Sequence, residues 1–253
     1  MNIKLKLTSL FFASLLSLCV GAADQFVNFT AGDMVLTKGA PFNITIDQND
    51  LKGALIATNN LQKDFKSVCG VSPAIVNSIS KTTRIVIGTA GHSSFVDKLI
   101  KEGKIDGNEL KGKVEKYIIT TVDNRLVIAG SDKRGTVYGV YELSRQLGVS
   151  PWYYWADVPV QQHQKIFIKN GNYTDGEPQV RYRGLFLNDE WPALGNWAKV
   201  RFGDFNHQFY AKVFELILRL KGNYIWPAMW SSAFYADDPL NGTTADDIGV
   251  IIG

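Results

Sequence analysis

The chain has 253 residues, and 45% of them are hydrophobic, which is enough to bury one ordinary core or two modest ones. Its 27 basic and 24 acidic residues give a formal net charge of +3, without a basic block of the kind that binds nucleic acid or anionic membrane. The 3 histidines lack metal-ligand spacing, so neither a nucleic-acid partner nor a metal site is predicted.

The N-terminal segment, residues 1–23, is typical of a secretory signal peptide. Lys4 and Lys6 form a short basic start, an apolar run follows over residues 7–20, and small residues precede Asp24. The run is too short for a good membrane span, so we expect cleavage before Asp24 and a secreted or periplasmic product. A buried N-terminal helix is the less favoured alternative.

The cysteines bear on how this segment is processed. Lipid attachment at Cys19 is disfavoured, because a lipoprotein signal places a small residue before its cysteine and Leu18 is large. After cleavage Cys69 alone remains, so no intrachain disulfide can form and an ordinary core must supply the stability.

Residues 26–173 alternate short strand patterns with helical ones, which indicates a small α/β domain. The predicted strands lie at residues 42–46, 84–87, 117–121, 125–129 and 165–169. Three helices are predicted at residues 51–68, 93–101 and 134–147. Cap, stop and turn residues mark the ends of these elements, namely Asp50, Ser93 and Asp132 as N-caps, Gly70 and Gly148 as stops, and Asp123–Asn124 as a hairpin turn.

A segment rich in turn formers and poor in apolar residues, Asn170–Pro178, is the predicted linker. The linker places the boundary between an N-terminal α/β accessory domain, residues 24–177, and a second domain, residues 178–253. The predicted signal peptide, residues 1–23, precedes both. All 6 tryptophans follow residue 150, so the two halves of the chain also differ in composition.

The second domain opens a β-α-β pattern. Its predicted elements are a strand at 183–187, a loop at 188–205, a helix that Asn206 caps and Gly222 ends, a strand at 224–226 and the opening of a third strand at 248–252. A (β/α)8 (TIM) barrel needs roughly 250 residues. We therefore expect the first β/α units of an incomplete barrel, from a fragment or a truncated gene product, with exposed strand edges that invite association.

Two polar and aromatic clusters follow the first two strands of this pattern, at Asn188–Pro192 and Trp226–Trp230. Active sites of β/α barrels form at the carboxyl ends of the strands, where both clusters fall. A sugar needs polar partners for its hydroxyls and a flat aromatic partner for its apolar C–H face, so the two clusters predict a sugar site. The alternatives are that Asp189 or Glu190 caps a turn or pairs with an arginine, and that the tryptophans are core residues.

Two other segments are weaker candidates. Gly88–Ser93 lies between a strand and a helix but lacks the lysine and the glycine spacing of a phosphate-binding loop, so we interpret it as a tight turn. Trp152–Trp155 is expected to cover the interface between the two domains, with a sugar-stacking platform as the alternative.

Residues Arg181–Trp230 resemble the start of the catalytic domain of glycoside hydrolase family 115. These enzymes are xylan α-1,2-glucuronidases, which remove glucuronic acid or its 4-O-methyl ether from xylan. The upstream domain is similar to the small α/β domain that precedes the barrel in that family, and Arg134–Trp155 resembles the last helix and exit of that domain.

The resemblance implies roles for four residues. Asn188 and Asp189 would contact the uronic sugar, and Trp230 and Trp226 would line its pocket. It also implies an inverting mechanism without a cofactor, in which two carboxyl groups roughly 6.5–9.5 Å apart act as general acid and general base. Those carboxyl groups are expected beyond Gly253, so the intact protein would cleave glucuronoxylan, whereas this chain would bind weakly and hydrolyse nothing.

Two other functions stay open. Another exo-glycosidase of the same layout, such as a hexosaminidase-like enzyme or a different glucuronidase, would carry its carboxylate pair late in the barrel. A non-catalytic secreted carbohydrate-binding module would be a stable monomer that loses its polysaccharide affinity on Trp230→Ala.

Overall fold

A computed structural model describes residues 24–253. The predicted signal peptide, residues 1–23 with Cys19, lies outside the described residues and stays a prediction. The strands are β1 (Val27–Asn28), β2 (Met34–Thr37), β3 (Asn43–Ile46), β4 (Ala74–Val76), β5 (Thr83–Thr89), β6 (Tyr117–Val122), β7 (Arg125–Gly130), β8 (Ile166–Ile168), β9 (Asn172–Tyr173), β10 (Gly184–Phe186), β11 (Tyr224–Trp226) and β12 (Ile251–Ile252).

The helices of the described part lie between groups of these strands. They are α1 (Lys52–Cys69), α2 (Ser94–Lys101), α3 (Lys133–Gln146), α4 (Leu194–Phe202), α5 (His207–Arg219), α6 (Phe234–Asp237) and α7 (Leu240–Ile248), with a short 3-10 helix at Gly107–Glu109. None of these helices is long and apolar enough to cross a membrane.

A six-stranded sheet forms the centre of the first half, in the order β4-β3-β5-β7-β6-β9. Its first four strands run parallel, whereas β6 is antiparallel to both β7 and β9. The predicted hairpin between β6 and β7 is confirmed. Its turn residues Asp123 and Asn124 have φ 50° and 58°, in the left-handed region that a two-residue hairpin turn requires.

The two faces of this sheet are buried separately, because successive side chains of a strand point to opposite sides. Ile85 and Ile87 of β5 pack in the main core with α1 and α3, whereas Val86 belongs to a smaller cluster with Val96 of α2. Burial on both faces explains why this strand reads as an unbroken apolar run in the sequence.

Two strand pairings go beyond the predicted pattern. β8 confirms the strand expected near residues 165–169, but it lies in a separate antiparallel sheet with β1 and β2. β9 falls inside the segment whose composition predicts a linker, and Asn172 pairs with Thr120 of β6. Backbone hydrogen bonds do not depend on side-chain polarity, so a polar segment can complete a sheet edge.

The start of α1 differs from the prediction. Leu51 is the residue that precedes the helix, so Asp50 is not its N-cap. Asp50 instead accepts hydrogen bonds from the N–H groups of Leu51 at 2.7 Å and Thr89 at 2.9 Å, which links the helix start to the end of β5. Ser93 and Asp132 cap α2 and α3 as predicted, because each accepts a bond from the N–H three residues on.

The second half contains a parallel three-stranded sheet in the order β10-β11-β12. α4 and α5 connect the first two strands, and α6 and α7 connect the last two, so the predicted β-α-β unit is confirmed. Asn206 accepts hydrogen bonds from the N–H groups of Gln208 and Phe209 and caps α5 as predicted. Parallel pairing brings the carboxyl ends of the strands to one edge of this sheet.

Two predictions in this half are corrected. α4 lies where a long loop is expected: Leu194, Trp197 and Ala198 recur at helical spacing and pack on the core, but an intervening glycine and polar residues obscure the pattern. The third strand is shorter than predicted, because Ile248 ends α7. Gly249 stops that helix with φ 103°, a backbone conformation that glycine adopts readily.

One contiguous hydrophobic core unites the two halves of the described chain. Phe65 of α1, Leu143 of α3, Phe214 of α5 and Ile225 of β11 all belong to it, and each is fully buried. The two sheets therefore share their packing. The domain boundary between residues 177 and 178 stays a prediction.

Candidate functional site

The two predicted clusters start from adjacent strand ends. Phe186, the last residue of β10, lies opposite Trp226, the last residue of β11, and the N–H of Leu187 donates to the carbonyl oxygen of Trp226 at 2.8 Å. The loop after β10 therefore begins beside the loop after β11. This juxtaposition is the one that the sequence pattern predicts.

Asp189 joins the two loops directly. Its Oδ2 accepts a hydrogen bond from the N–H of Ser231 at 2.6 Å, and its Oδ1 accepts one from the N–H of Trp230 at 3.3 Å. The residue is only 2% exposed. The carboxylate therefore fixes the backbone of the second loop, and through it the position of Trp230.

The protonation of Asp189 follows from these contacts. Burial is the largest influence and raises the pKa of the carboxyl, but hydrogen bonds from the N–H groups of Ser231 and Trp230 and from the side chain of Ser232 outweigh it. The pKa of Asp189 is consequently below its usual value, because hydrogen bonds to the charged form favour that form. An ionised carboxylate with its lone pairs engaged is suited to anchoring rather than to donating a proton.

Asn188 and Glu190 flank this anchor. The Asn188 side-chain N–H donates to Glu190 Oε1 at 2.7 Å, while Asn188 Oδ1 is buried and has no hydrogen-bond partner among residues 24–253. A buried carbonyl oxygen without a partner is costly and is a candidate acceptor for a ligand hydroxyl. Across the same residues, no group of three or more histidine, cysteine or acidic side chains is arranged to hold a metal.

Aromatic and thioether side chains cover the strand ends, and we refer to Phe186, Trp226, Met229 and Trp230 as the aromatic rim. Trp226 is 49% exposed and Trp230 is 73% exposed, so neither is a core residue. The Phe186 and Trp226 rings meet edge to face at 5.7 Å, and the Trp226 indole N–H donates to the Met229 sulfur at 3.1 Å. Exposed apolar surface of this kind is typical of a binding site.

Phe186 and Met229 were not among the predicted site residues. Phe186 reads as an ordinary strand residue, and Met229 reads as a loop residue beside a more conspicuous tryptophan. A signal was nevertheless present for Phe186, because the last residue of a parallel strand lies at the edge where such sites form.

The sequence of the chain matches two family models. Residues 175–253 match the model of glycosyl hydrolase family 115, and residues 33–143 match that of the glycosyl hydrolase family 67 N-terminus. No curated protein matches the chain.

Solved structures extend these matches. A family GH115 4-O-methyl-α-glucuronidase with specificity for decorated arabinogalactans is 32% identical, with a TM-score of 0.77, and the match covers 87% of this chain and 29% of that one. Flavobacterium johnsoniae chitobiase is 15% identical, with a TM-score of 0.53, over 90% of this chain and 33% of that one. Streptomyces plicatus β-hexosaminidase is 14% identical, with a TM-score of 0.54, over 90% of this chain and 43% of that one.

The chain shares its mixed α/β fold with the family GH115 structure, and the aromatic rim lies within the part of the chain that matches the family 115 model. The two more distant structures share the fold alone. Residues 175–253 belong to glycoside hydrolase family 115. The chain spans 29% of the length of the family 115 structure that it matches.

Proposed function

We propose that this chain is the front part of an exported glycoside hydrolase that removes glucuronic acid or its 4-O-methyl ether from xylan. The observation that carries the proposal is the hydrogen bonding of buried Asp189 to the loop of Trp230, beside Trp226 at the end of the adjacent parallel strand. It supports a sugar site because a rigid polar anchor and exposed indole faces meet at one sheet edge.

Each residue of the proposed site has a distinct task. The Trp226 and Trp230 indoles stack on the apolar C–H face of the sugar, and Asn188 accepts a hydroxyl hydrogen. Asp189 holds the second loop in place. Later strands of a (β/α)8 barrel supply the general acid and the general base of an inverting reaction, so this chain alone binds saccharide without cleaving it.

The substrate has a second candidate. The similar family 115 structure is described as specific for decorated arabinogalactans, so the same uronic acid can also be presented by an arabinogalactan backbone. A site at these strand ends recognises the terminal uronic acid in both cases, and the two polysaccharides differ only in what lies beyond it.

Binding to both polysaccharides tests the proposal. Isothermal titration calorimetry of the processed chain, residues 24–253, is expected to show binding of glucuronoxylan or of uronic-acid-bearing arabinogalactan. Unsubstituted xylan should bind more weakly. Trp226→Ala and Trp230→Ala should each weaken binding. Tyr182→Ala is the matched control, because Tyr182 is 51% exposed but precedes β10, at the opposite end of the strand.

Three further outcomes distinguish the parts of the proposal. Equal affinity of Trp230→Ala and the unaltered chain would contradict the sugar site. Release of 4-O-methylglucuronic acid by the purified chain would contradict the assignment of acid and base to later strands. Export is tested by sequencing the N-terminus of the processed protein, which should begin at Asp24.

A further inference from the structure

A cleft of about 370 Å³ lies beside α4, and none of the aromatic rim residues lines it. The segment that follows α3 supplies one wall, and α4 supplies the other. We refer to it as the tryptophan cleft, and its lining residues are Tyr153, Tyr154, Trp155, Asp157, Leu194, Trp197 and Arg201.

The aromatic walls of the tryptophan cleft are held rigidly. The Trp155 and Trp197 rings lie 5.4 Å apart at an interplanar angle of 42°, and Tyr154 meets Trp155 edge to face at 5.4 Å. The Trp155 indole N–H donates to the carbonyl oxygen of Lys212 at 3.3 Å, which fixes the ring against α5. Both tryptophans are half-buried, so each keeps part of a ring face for a ligand.

Charged groups surround these rings. Arg201 is exposed in the last turn of α4, and it forms no salt bridge among residues 24–253. Lys212 Nζ lies over the Tyr154 ring at 4.9 Å. Asp157 is exposed, and its backbone has φ 49°. Two cations and one carboxylate therefore border an aromatic surface.

We propose that the tryptophan cleft is a second saccharide-binding site, which takes an acidic oligosaccharide that carries a uronic acid. The indoles of Trp155 and Trp197 stack on the C–H faces of the sugar rings. The Arg201 guanidinium pairs with the uronic carboxylate, which its planar fork fits in a bidentate manner. Asp157 accepts sugar hydroxyls. The acidic class of ligand rests on the proposed function, whereas the site itself rests on the cleft.

The tryptophan cleft is coupled to the aromatic rim through α4. The N–H of Gly195 donates to the carbonyl oxygen of Glu190 at 3.1 Å, so the start of α4 is bonded to the loop that contains Asp189. Arg201 lies about 9 Å further along the helix axis than Gly195, at 1.5 Å per residue. α4 therefore connects the loop of Asp189 to the wall of the tryptophan cleft, and we propose that the second site holds a neighbouring part of the same polysaccharide chain.

The test follows the indole N–H signal of Trp197 by NMR during titration with an acidic xylo-oligosaccharide that carries one 4-O-methylglucuronic acid. The signal should shift, and it should still shift in the Trp226→Ala, Trp230→Ala double variant, in which the rim is removed. Arg201→Ala should weaken acidic binding to the tryptophan cleft about tenfold and leave binding of neutral xylotetraose unchanged. Arg201 is exposed, so this variant is expected to fold.

The possible results separate the two sites. A shift at Trp230 without one at Trp197 would overturn the second site and leave the proposed function standing, whereas no shift at either would overturn both. Equal loss of acidic and neutral binding in Arg201→Ala would overturn the acidic specificity. A Trp197 signal that moves with protein concentration instead of saccharide would identify a second copy of the chain as the occupant and overturn the proposal.

Discussion

The Arg219 guanidinium donates two hydrogen bonds to the Asp64 carboxylate, from Nη1 to Oδ2 at 3.0 Å and from Nη2 to Oδ1 at 3.1 Å. Both side chains are buried, and the pair connects α5 in the second half of the chain to α1 in the first. Arg219 Nε also donates to Glu215 at 2.8 Å, and the Tyr141 ring lies 4.5 Å from the guanidinium. The two halves are thus joined by a buried charge network as well as by a shared core.

Removing one partner of this pair should strongly destabilise the protein. Asp64→Ala leaves the buried Arg219 guanidinium with Glu215 as its remaining carboxylate partner, and we expect the free energy of unfolding to fall by about 3 kcal/mol. Urea denaturation measures the loss. Glu102→Ala is the matched control, because it removes the exposed partner of Lys98 and Lys104 and should cost about 1 kcal/mol or less. Similar losses in both variants would contradict the network's role.

The sequence predicts the parts of this fold that depend on neighbouring residues. The Asp123–Asn124 turn and the Asn206 cap follow from local backbone requirements and were predictable. The pairing of Asp64 with Arg219 was not, because those residues are separated by 155 positions and nothing local selects the partner. Tertiary packing likewise decides that residues 194–202 form a helix.

In the candidate site, too, some features follow from local sequence and others only from the folded structure. The positions of Trp226 and Asp189 at strand ends follow from the alternation of strands and helices, and the sequence predicts them. The anchoring role of Asp189 depends on the N–H groups of Trp230 and Ser231, which reach it only once the two strands pair. Such a contact is a property of the folded loops, so the sequence leaves both a sugar contact and a turn-capping role open for Asp189.

Glu115 should make stability depend on acidic pH. Its buried carboxylate accepts hydrogen bonds from Arg134 Nε at 2.6 Å, Arg183 Nη2 at 2.5 Å and Asn223 Nδ2 at 2.7 Å. Burial is the largest influence and raises the pKa of Glu115, but these bonds and charges together hold it below the usual 4.5. The folded state therefore favours the ionised form. The contribution of Glu115 to the free energy of unfolding is complete above about pH 4.5. It is lost as the pH falls through the lower pKa of the folded state.

Denaturation curves between neutral and acidic pH check this expectation. The free energy of unfolding should decline below about pH 4.5 in the unaltered chain, and Glu115→Gln should make that decline shallower. The pKa of Glu142 is also lowered, so part of the pH dependence should persist in the variant: burial raises that pKa, and hydrogen bonds from Arg145 and Lys221 outweigh the effect. Parallel curves for the two proteins would show that Glu115 does not contribute.

Asn223 should be essential to the start of the parallel sheet. Its Oδ1 accepts from the N–H of Arg183 at 3.0 Å, and its Nδ2 donates to the carbonyl oxygen of Arg181 at 2.8 Å and to Glu115 at 2.7 Å. Asn223→Ala removes these three hydrogen bonds and should lower the free energy of unfolding by roughly 3 kcal/mol, at about 1 kcal/mol for each bond. Asn59→Ala is the control, because it removes one exposed hydrogen bond from the Asn59 side chain to the carbonyl oxygen of Leu55 within α1. It should lower the free energy of unfolding much less. Thermal unfolding of both variants measures the two losses, and equal losses in Asn223→Ala and Asn59→Ala would contradict the prediction.

Asp189→Asn should weaken saccharide binding at the aromatic rim although Asp189 is not exposed to the ligand. The new amide group places a donor where the N–H groups of Trp230 and Ser231 need an acceptor, so one hydrogen bond is lost and the loop loosens. We expect a loss of about 1–2 kcal/mol in unfolding free energy and a lower affinity for glucuronoxylan in titration calorimetry, as Trp230 is no longer held beside Trp226. Asp246→Asn, an exposed change on α7, should alter neither quantity. Unchanged affinity in a measurably destabilised Asp189→Asn would mean that the anchor stabilises the loop without positioning the rim.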